Sequence, residues 1–239
     1  MGLERTIVLK GAKDAFGAPA AVLFAGMLGF GAMGKTNGLD IWVTSATSFF
    51  MFALPGQVVL IEMLVLQASA LTIAIAVTLT AARFLTMCLT LFPQFPEKQR
   101  SPWYYALVHL VAMTAWAISM RDFPKMKPDE RLAYFTGFAF VCWAVSTPAT
   151  ALGFMLAGEV PRYINLGLVF INPLFFLLTF TEVKVRANQI AIVLGAIAGP
   201  LIYLYSPDYS LLYTGLIGGT VAYGVDRYLR QRKTQESSS

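Results

Sequence analysis

Eight long apolar stretches follow one another along the chain, and they constrain its fold more than any other feature. A bilayer core is crossed by about 20 apolar helical residues. The stretches are continuously apolar, which excludes membrane β-strands of about 10 alternating residues. The predicted spans are residues 19–33, 41–66, 70–92, 103–120, 133–157, 163–180, 190–205 and 209–228. The sequence therefore predicts an all-α polytopic membrane protein, with residues 1–239 forming a single integral membrane domain.

Composition agrees with this interpretation. Only 13% of the residues are charged and 57% are hydrophobic, whereas soluble domains carry about 25% charged residues. The net charge of +5 is spread over the segments between apolar stretches, so we expect a lipid bilayer and no nucleic acid as its surroundings. Cys88 and Cys142 lie inside apolar stretches without metal-ligand or redox spacing, and we interpret them as small buried hydrophobic residues.

The basic residues predict the orientation of the chain. If the N-terminus is cytoplasmic, thirteen of the eighteen Lys and Arg residues lie on the cytoplasmic side and four on the other. This is the positive-inside bias of membrane proteins, and it predicts that both termini are cytoplasmic. A re-entrant second span would move every later segment to the other side and remove the bias. We therefore predict a broken but crossing helix there.

Arg83 is the deepest charge in the sequence, about 20 Å from the cytoplasmic edge of the third span at 1.5 Å per residue. A charge at this depth needs a partner or a function. Its planar guanidinium can bind a carboxylate, or it can be a structural arginine held by free backbone carbonyls. Gln57, about 15 Å inside its span, matches this depth better than Glu62 at about 8 Å.

Glu62 and His109 are candidate coupling residues. His109 can exchange protons near neutral pH; the alternative is a hydrogen-bonded packing histidine. Glu62 can take part in coupling, or it can be a carboxylate near the membrane interface that reaches water or a basic side chain.

Three spans contain a proline next to polar side chains. A proline inside a helix removes one backbone donor and frees a carbonyl, which a membrane tolerates only inside protein or beside a wet cavity. Transporters build substrate sites from such discontinuous helices, although each proline can also be a simple kink. The predicted substrate-binding residues beside these prolines, together with Arg83, are Pro55, Gly56, Gln57, Ser146, Thr147 and Asn172.

Two Gly-x-x-x-Gly motifs, Gly195 to Gly199 and Gly215 to Gly219, predict close packing of the seventh and eighth spans. The same faces are an alternative surface for a homo-oligomer. The chain contains no H-E-x-x-H, G-x-S-x-G or nucleotide-binding motif. We therefore predict neither an enzyme nor a cofactor or metal site.

Several modest motifs occur in a fixed order. They are GAKDA at 11–15, FALPGQ at 52–57, AARF at 81–84, GFMLAG at 153–158 and LGLVF at 166–170. Over roughly residues 11–225 this series resembles the AzlC-type branched-chain amino acid permeases, the large subunits of bacterial AzlC–AzlD exporters. That family usually has Asn two residues before the Arg and His directly after it, where this chain has Ala81 and Phe84.

The resemblance implies export of branched-chain or similar small neutral amino acids, a small hydrophobic AzlD-like partner subunit and a bacterial inner membrane. The leading hypothesis is a secondary transporter subunit in which Gln57 and Arg83 bind the zwitterionic substrate. One alternative is a non-transporting membrane scaffold, which predicts a dry interior. Another is an intramembrane enzyme, which predicts two catalytic groups at similar depth.

Overall fold

The computed structural model of the protein describes residues 2–99, 103–181 and 186–236. This part of the chain is almost entirely helical and contains no β-strand, which confirms the all-α prediction. Its α-helices are α1 Gly2–Ala15, α2 Ala18–Thr36, α3 Ile41–Phe50, α4 Leu54–Val65, α5 Ala70–Leu91, α6 Trp103–Ala106, α7 Met113–Asp122, α8 Pro128–Leu156, α9 Arg162–Thr181, α10 Arg186–Tyr205 and α11 Pro207–Glu236. Short 3₁₀ turns lie at Phe92–Gln94, Glu97–Gln99, Leu107–Leu110 and Phe123–Lys125.

Three of the described helices are long and apolar enough to cross a membrane: Ala18–Thr36, Ala70–Gln94 and Pro128–Leu156. They coincide with the first, third and fifth predicted spans. Shorter apolar helices lie at Ile41–Phe50, Leu54–Val65, Arg162–Ile171 and Gln189–Tyr205. The helices thus support a membrane protein, while the number of eight spans stays a prediction.

One compact unit comprises Met1–Ile61 and Val77–Asn172, and α8 is its central helix. α8 packs against α1, α2, α3 and α7, and its fully buried side chains include Phe135, Phe138 and Cys142. The burial of Cys142 confirms its interpretation as a hydrophobic residue, whereas Cys88 is half-buried.

Glycines allow α8 to approach its neighbours closely. A Cβ at Gly153 would collide with the backbone of Leu28 on α2, and a Cβ at Gly31 would collide with the backbone of Thr150 on α8. On the other half of α8, a Cβ at Gly137 would collide with the backbone of Val8 on α1. Helices of membrane proteins pack through such small residues because lipid tails give little hydrophobic drive for association.

The second compact unit comprises Glu62–Ala76 and Pro173–Ser239. In it α10 packs along α11, and a Cβ at Gly195 or Gly199 would lie 3.8 or 3.7 Å from the Thr214 methyl group. The packing predicted for the first motif is therefore confirmed. For the second motif it is wrong, because Gly215 and Gly219 have no described atom within 4 Å of a built Cβ.

Candidate functional site

The second predicted span is a broken helix. α3 ends at Phe50, and α4 begins at Leu54. Phe52, between them, has a φ of +43°, a left-handed conformation that is uncommon for a residue other than glycine. The break therefore precedes the predicted position at Pro55 and Gly56. Pro55 instead lies in the first turn of α4, where its missing N–H leaves no hydrogen bond unmade.

Side chains from two other elements bind the carbonyl group of Phe49, at the end of α3. His109 Nε2 lies 2.8 Å from this oxygen, and Trp143 Nε1 on α8 donates to it at 3.0 Å. Because a carbonyl only accepts hydrogen bonds, His109 carries its proton on Nε2. His109 therefore forms a hydrogen bond to the backbone at the helix break.

Gln57 is fully buried on the first turns of α4 and reaches back across the break to α3. Its Nε2 lies 2.9 Å from Ser48 Oγ and 3.3 Å from Thr47 Oγ1. Ser48 Oγ in turn lies 2.7 Å from Thr150 Oγ1 on α8. Gln57, Thr47, Ser48 and Thr150 form what we call the polar cluster; it joins both halves of the broken helix to α8.

The helix α8 continues without interruption through Pro148, so the predicted break at this proline is wrong. One missing donor leaves the rest of the helical hydrogen bonds in place. Ser146 is fully buried and donates its hydroxyl to the Cys142 carbonyl at 2.8 Å. Thr147 Oγ1 is buried, and none of the described residues forms a hydrogen bond with it. The Ser146 carbonyl contacts the polar cluster, because it accepts a hydrogen bond from Thr150 at 3.0 Å.

Arg83 lies on the buried face of α5. The buried residues of this helix, Thr72, Ala76, Met87 and Leu91, recur at helical spacing, and Arg83 falls between Ala76 and Met87 on that face. Its guanidinium carbon is 5.4 Å from the centre of the Phe84 ring. Its Nε is buried and has no hydrogen-bond partner in the described part of the chain.

Gln57 and Arg83 belong to the same compact unit. A Cβ built on Gly56 of α4 would lie 3.9 Å from Val77 of α5, and Arg83 is six residues, about 9 Å of helix axis, beyond Val77. Within the described residues no hydrogen bond joins the two side chains. Each instead keeps an unused polar atom, because Gln57 Oε1 is also buried and no described residue bonds to it.

Glu62 and Asn172 are the two remaining residues of the predicted set. Glu62 on α4 is exposed. Asn172 lies on α9, which continues as a helix through Pro173, so the break predicted at this proline is also wrong. The side chain of Asn172 lies outside the described residues. Among the described residues, no three His, Cys, Asp or Glu side chains group in a way that could hold a metal ion.

Sequence comparison assigns the region with the broken helix and the polar cluster to a known protein family. The sequence model of one family, described as AzlC protein, matches residues 19–160, which is more than half of the chain. This chain belongs to the AzlC family. Membership of this family implies a role in membrane transport. It also agrees with the resemblance found in the motifs. Neither a curated protein nor a solved structure matches the chain significantly.

The AzlC match spans α2 to α8 and so includes every residue of the polar cluster. Sequence reasoning identified Gln57 and Ser146 but missed Thr47, Ser48 and Thr150, as well as the role of Trp143. A signal for the hydroxyls was present, because Ser146 and Thr150 are four residues apart on one helix and therefore share a face.

Proposed function

We propose that this AzlC-family chain is the transport subunit of a secondary transporter that exports branched-chain or similar small neutral amino acids. The observation that carries the proposal is Gln57, a fully buried amide at a helix break whose oxygen has no partner among the residues that the structure describes. Discontinuous helices with polar groups at the break are a recurring way of building substrate sites in secondary transporters.

Arg83 supports a substrate with a carboxylate. A guanidinium has donors only, and its planar fork matches the two oxygens of a carboxylate. Arg83 Nε is buried with no partner in the described residues, although buried polar groups of proteins normally have one. A bound carboxylate would supply the missing acceptor. Together, Gln57 and Arg83 provide an acceptor and a donor, which is the pairing that a zwitterion requires.

Apolar side chains beside the break suit an aliphatic substrate side chain. Met51 covers Gly56, with its terminal methyl group 2.6 Å from the position of a built Cβ, and Leu54 Cδ2 lies 3.1 Å from a Cβ built on Gly26. Leu54 and Met27 are themselves buried. We infer that such residues accept the branched aliphatic group while polar contacts fix the zwitterion.

The remaining parts of the proposal concern partners and location. We propose that the chain works with a small hydrophobic AzlD-like subunit, that it resides in the bacterial inner membrane and that both termini are cytoplasmic. An ion gradient is the proposed energy source. Glu62 and His109 are the candidate coupling residues, and Ser146, Thr147 and Asn172 complete the proposed substrate-binding set.

An efflux assay in inverted membrane vesicles tests the proposal. Vesicles containing the chain and the small subunit are given a panel of neutral amino acids, with and without a proton gradient. We expect gradient-dependent movement of aliphatic amino acids. Arg83→Ala should abolish it while the protein stays in the membrane, and Arg83→Lys should fall between because an ammonium lacks the planar fork.

Arg162→Ala is the matched control, since Arg162 is an exposed arginine at the start of α9. It should transport as the wild type does. Undiminished efflux by Arg83→Ala would refute the site assignment. Vesicles that move no neutral amino acid under any gradient would refute the transport proposal and favour a scaffold.

A further inference from the structure

The polar cluster fixes the orientation of the Gln57 amide. Thr47 donates its hydroxyl hydrogen to the Thr44 carbonyl at 2.8 Å, so its oxygen can only accept from Gln57. Thr150 donates its hydrogen to the Ser146 carbonyl at 3.0 Å. In the contact between Ser48 and Thr150, Ser48 is therefore the donor.

The single hydrogen of Ser48 goes to Thr150 or to the Met27 sulfur, which lies 3.8 Å from Ser48 Oγ, so Ser48 too can only accept from Gln57. Both neighbours of the amide are acceptors, so its NH₂ group must face them. Oε1 then points away from both hydroxyls. It is buried and has no hydrogen-bond partner in the described part of the chain. The group that binds at this oxygen must be a donor.

We propose that Gln57 Oε1 accepts a hydrogen bond from the α-ammonium group of the transported amino acid, and that Thr47, Ser48 and Thr150 are positioning residues that hold the amide in this orientation. The inference rests on the proposed function and adds the polarity of the site, that is, which end of the zwitterion each residue binds. The ammonium is the donor end of a zwitterion, and Arg83, which has donors only, is left for the carboxylate end.

This polarity makes the site selective for amino acids against the matching 2-oxo acids. A 2-oxo acid carries a carbonyl oxygen where the amino acid carries its ammonium. In the site two acceptors would then face each other and the Gln57 oxygen would stay unpaired. Sites built around a hydrogen bond to one substrate group discriminate strongly against the analogue that lacks it.

The test compares L-leucine with 4-methyl-2-oxopentanoate in vesicles that contain the chain and the small subunit. The wild type should prefer L-leucine. Gln57→Leu should reduce this preference at least about tenfold, because a hydrogen bond to a charged group is lost. Gln57→Glu should retain it, since a carboxyl group presents an acceptor oxygen in either protonation state.

The double variant Thr47→Val with Ser48→Ala provides a second test that keeps Gln57. It releases the amide to turn its NH₂ group towards the ligand, so the preference should shift towards the 2-oxo acid. Gln99→Leu is the control, because Gln99 lies in a 3₁₀ turn outside the polar cluster, where its amide donates to the Asp129 carbonyl, and it should keep the wild-type preference.

The outcomes separate the two proposals. If the wild type exports L-leucine and both Gln57→Leu and the double variant keep its preference, Gln57 Oε1 binds water only. This inference is then overturned while the proposed function stands. If wild-type vesicles move neither compound nor any other neutral amino acid, the proposed function is overturned and this inference with it.

Discussion

His109 Nε2 lies 2.8 Å from the carbonyl oxygen of Phe49, 60 residues earlier in the chain. The carbonyls in the last turn of a helix have no partner within that helix, and a bilayer core offers no water to replace one. In this chain the partners are the imidazole and the Trp143 indole, which share the same oxygen. The break between α3 and α4 is thus stabilised by side chains that pack against it.

Replacing these two donors should weaken both stability and transport. His109→Phe or Trp143→Phe removes one hydrogen bond each and should lower the free energy of unfolding by about 1 kcal/mol. The double variant should lose more than the sum, because the carbonyl then has neither donor and a bilayer core offers no water in their place. Thermal unfolding of the purified protein in detergent measures the loss, and vesicle efflux measures the effect on transport.

Trp116→Phe is the matched control for this pair. Trp116 Nε1 donates to Thr90 Oγ1 at 2.9 Å, so the variant loses a bond of the same kind away from the break. It should lose comparable stability but retain transport. Equal transport defects at Trp116 and Trp143 would mean that general destabilisation, not the break, is responsible.

Close packing between α2 and α8 should make Gly153 intolerant of a side chain. Gly153→Ala places a methyl group against the Leu28 backbone, and overpacking of this kind costs about 1–3 kcal/mol. Gly167→Ala on α9 is the control, because a Cβ there has no described atom within 4 Å. It should be neutral or stabilising by up to about 1 kcal/mol, from helix propensity. Equal melting temperatures for both variants would contradict the packing.

The sequence predicted that the second span is broken but misplaced the break by about one helical turn. Proline signals that a helix cannot continue towards its N-terminal side, yet it is stable within the first turn of the helix that follows. Pro55 therefore belongs to α4, and the irregular backbone lies at Met51 to Ala53. At Pro148 and Pro173 the helices continue, which the local pattern did not distinguish from a break.

The polar partners of Gln57 could be predicted only in part. Apolar stretches and the deep Arg83 are local properties, readable from one segment. The contact of Ser48 with Thr150 joins residues 102 positions apart, on α3 and α8. Such pairing depends on which helix faces overlap, and periodicity within one helix does not determine that.

Asp122 at the end of α7 should give a small acid-dependent loss of stability. The hydrogen bond from Arg121 holds the pKa of the Asp122 carboxyl below its ordinary value. A lowered pKa stabilises the folded state above the unfolded-state pKa, about 3.9, and this stabilisation is lost as pH falls through the folded-state pKa. Asp122→Asn should flatten the pH dependence of unfolding in that range. The control is Glu159→Gln, at an exposed carboxylate just after α8. An unchanged acid profile in Asp122→Asn would contradict the assignment.

The hydrogen bond between Ser48 and Thr150 should appear as a coupling energy between α3 and α8. Ser48→Ala, Thr150→Val and the double variant form a cycle that isolates this pair. Interhelical hydrogen bonds in membrane proteins contribute about 0.6 kcal/mol on average and up to about 1.7 kcal/mol. We expect the upper end, because both residues are fully buried. Unfolding in mixed SDS and detergent micelles measures the stability of each variant.

A cycle of Ser48→Ala with Thr136→Val is the control. The Thr136 hydroxyl bonds to its own helix at Leu132, so this cycle should give no coupling. If the first cycle also gives none, the two hydroxyls do not pair in the folded protein.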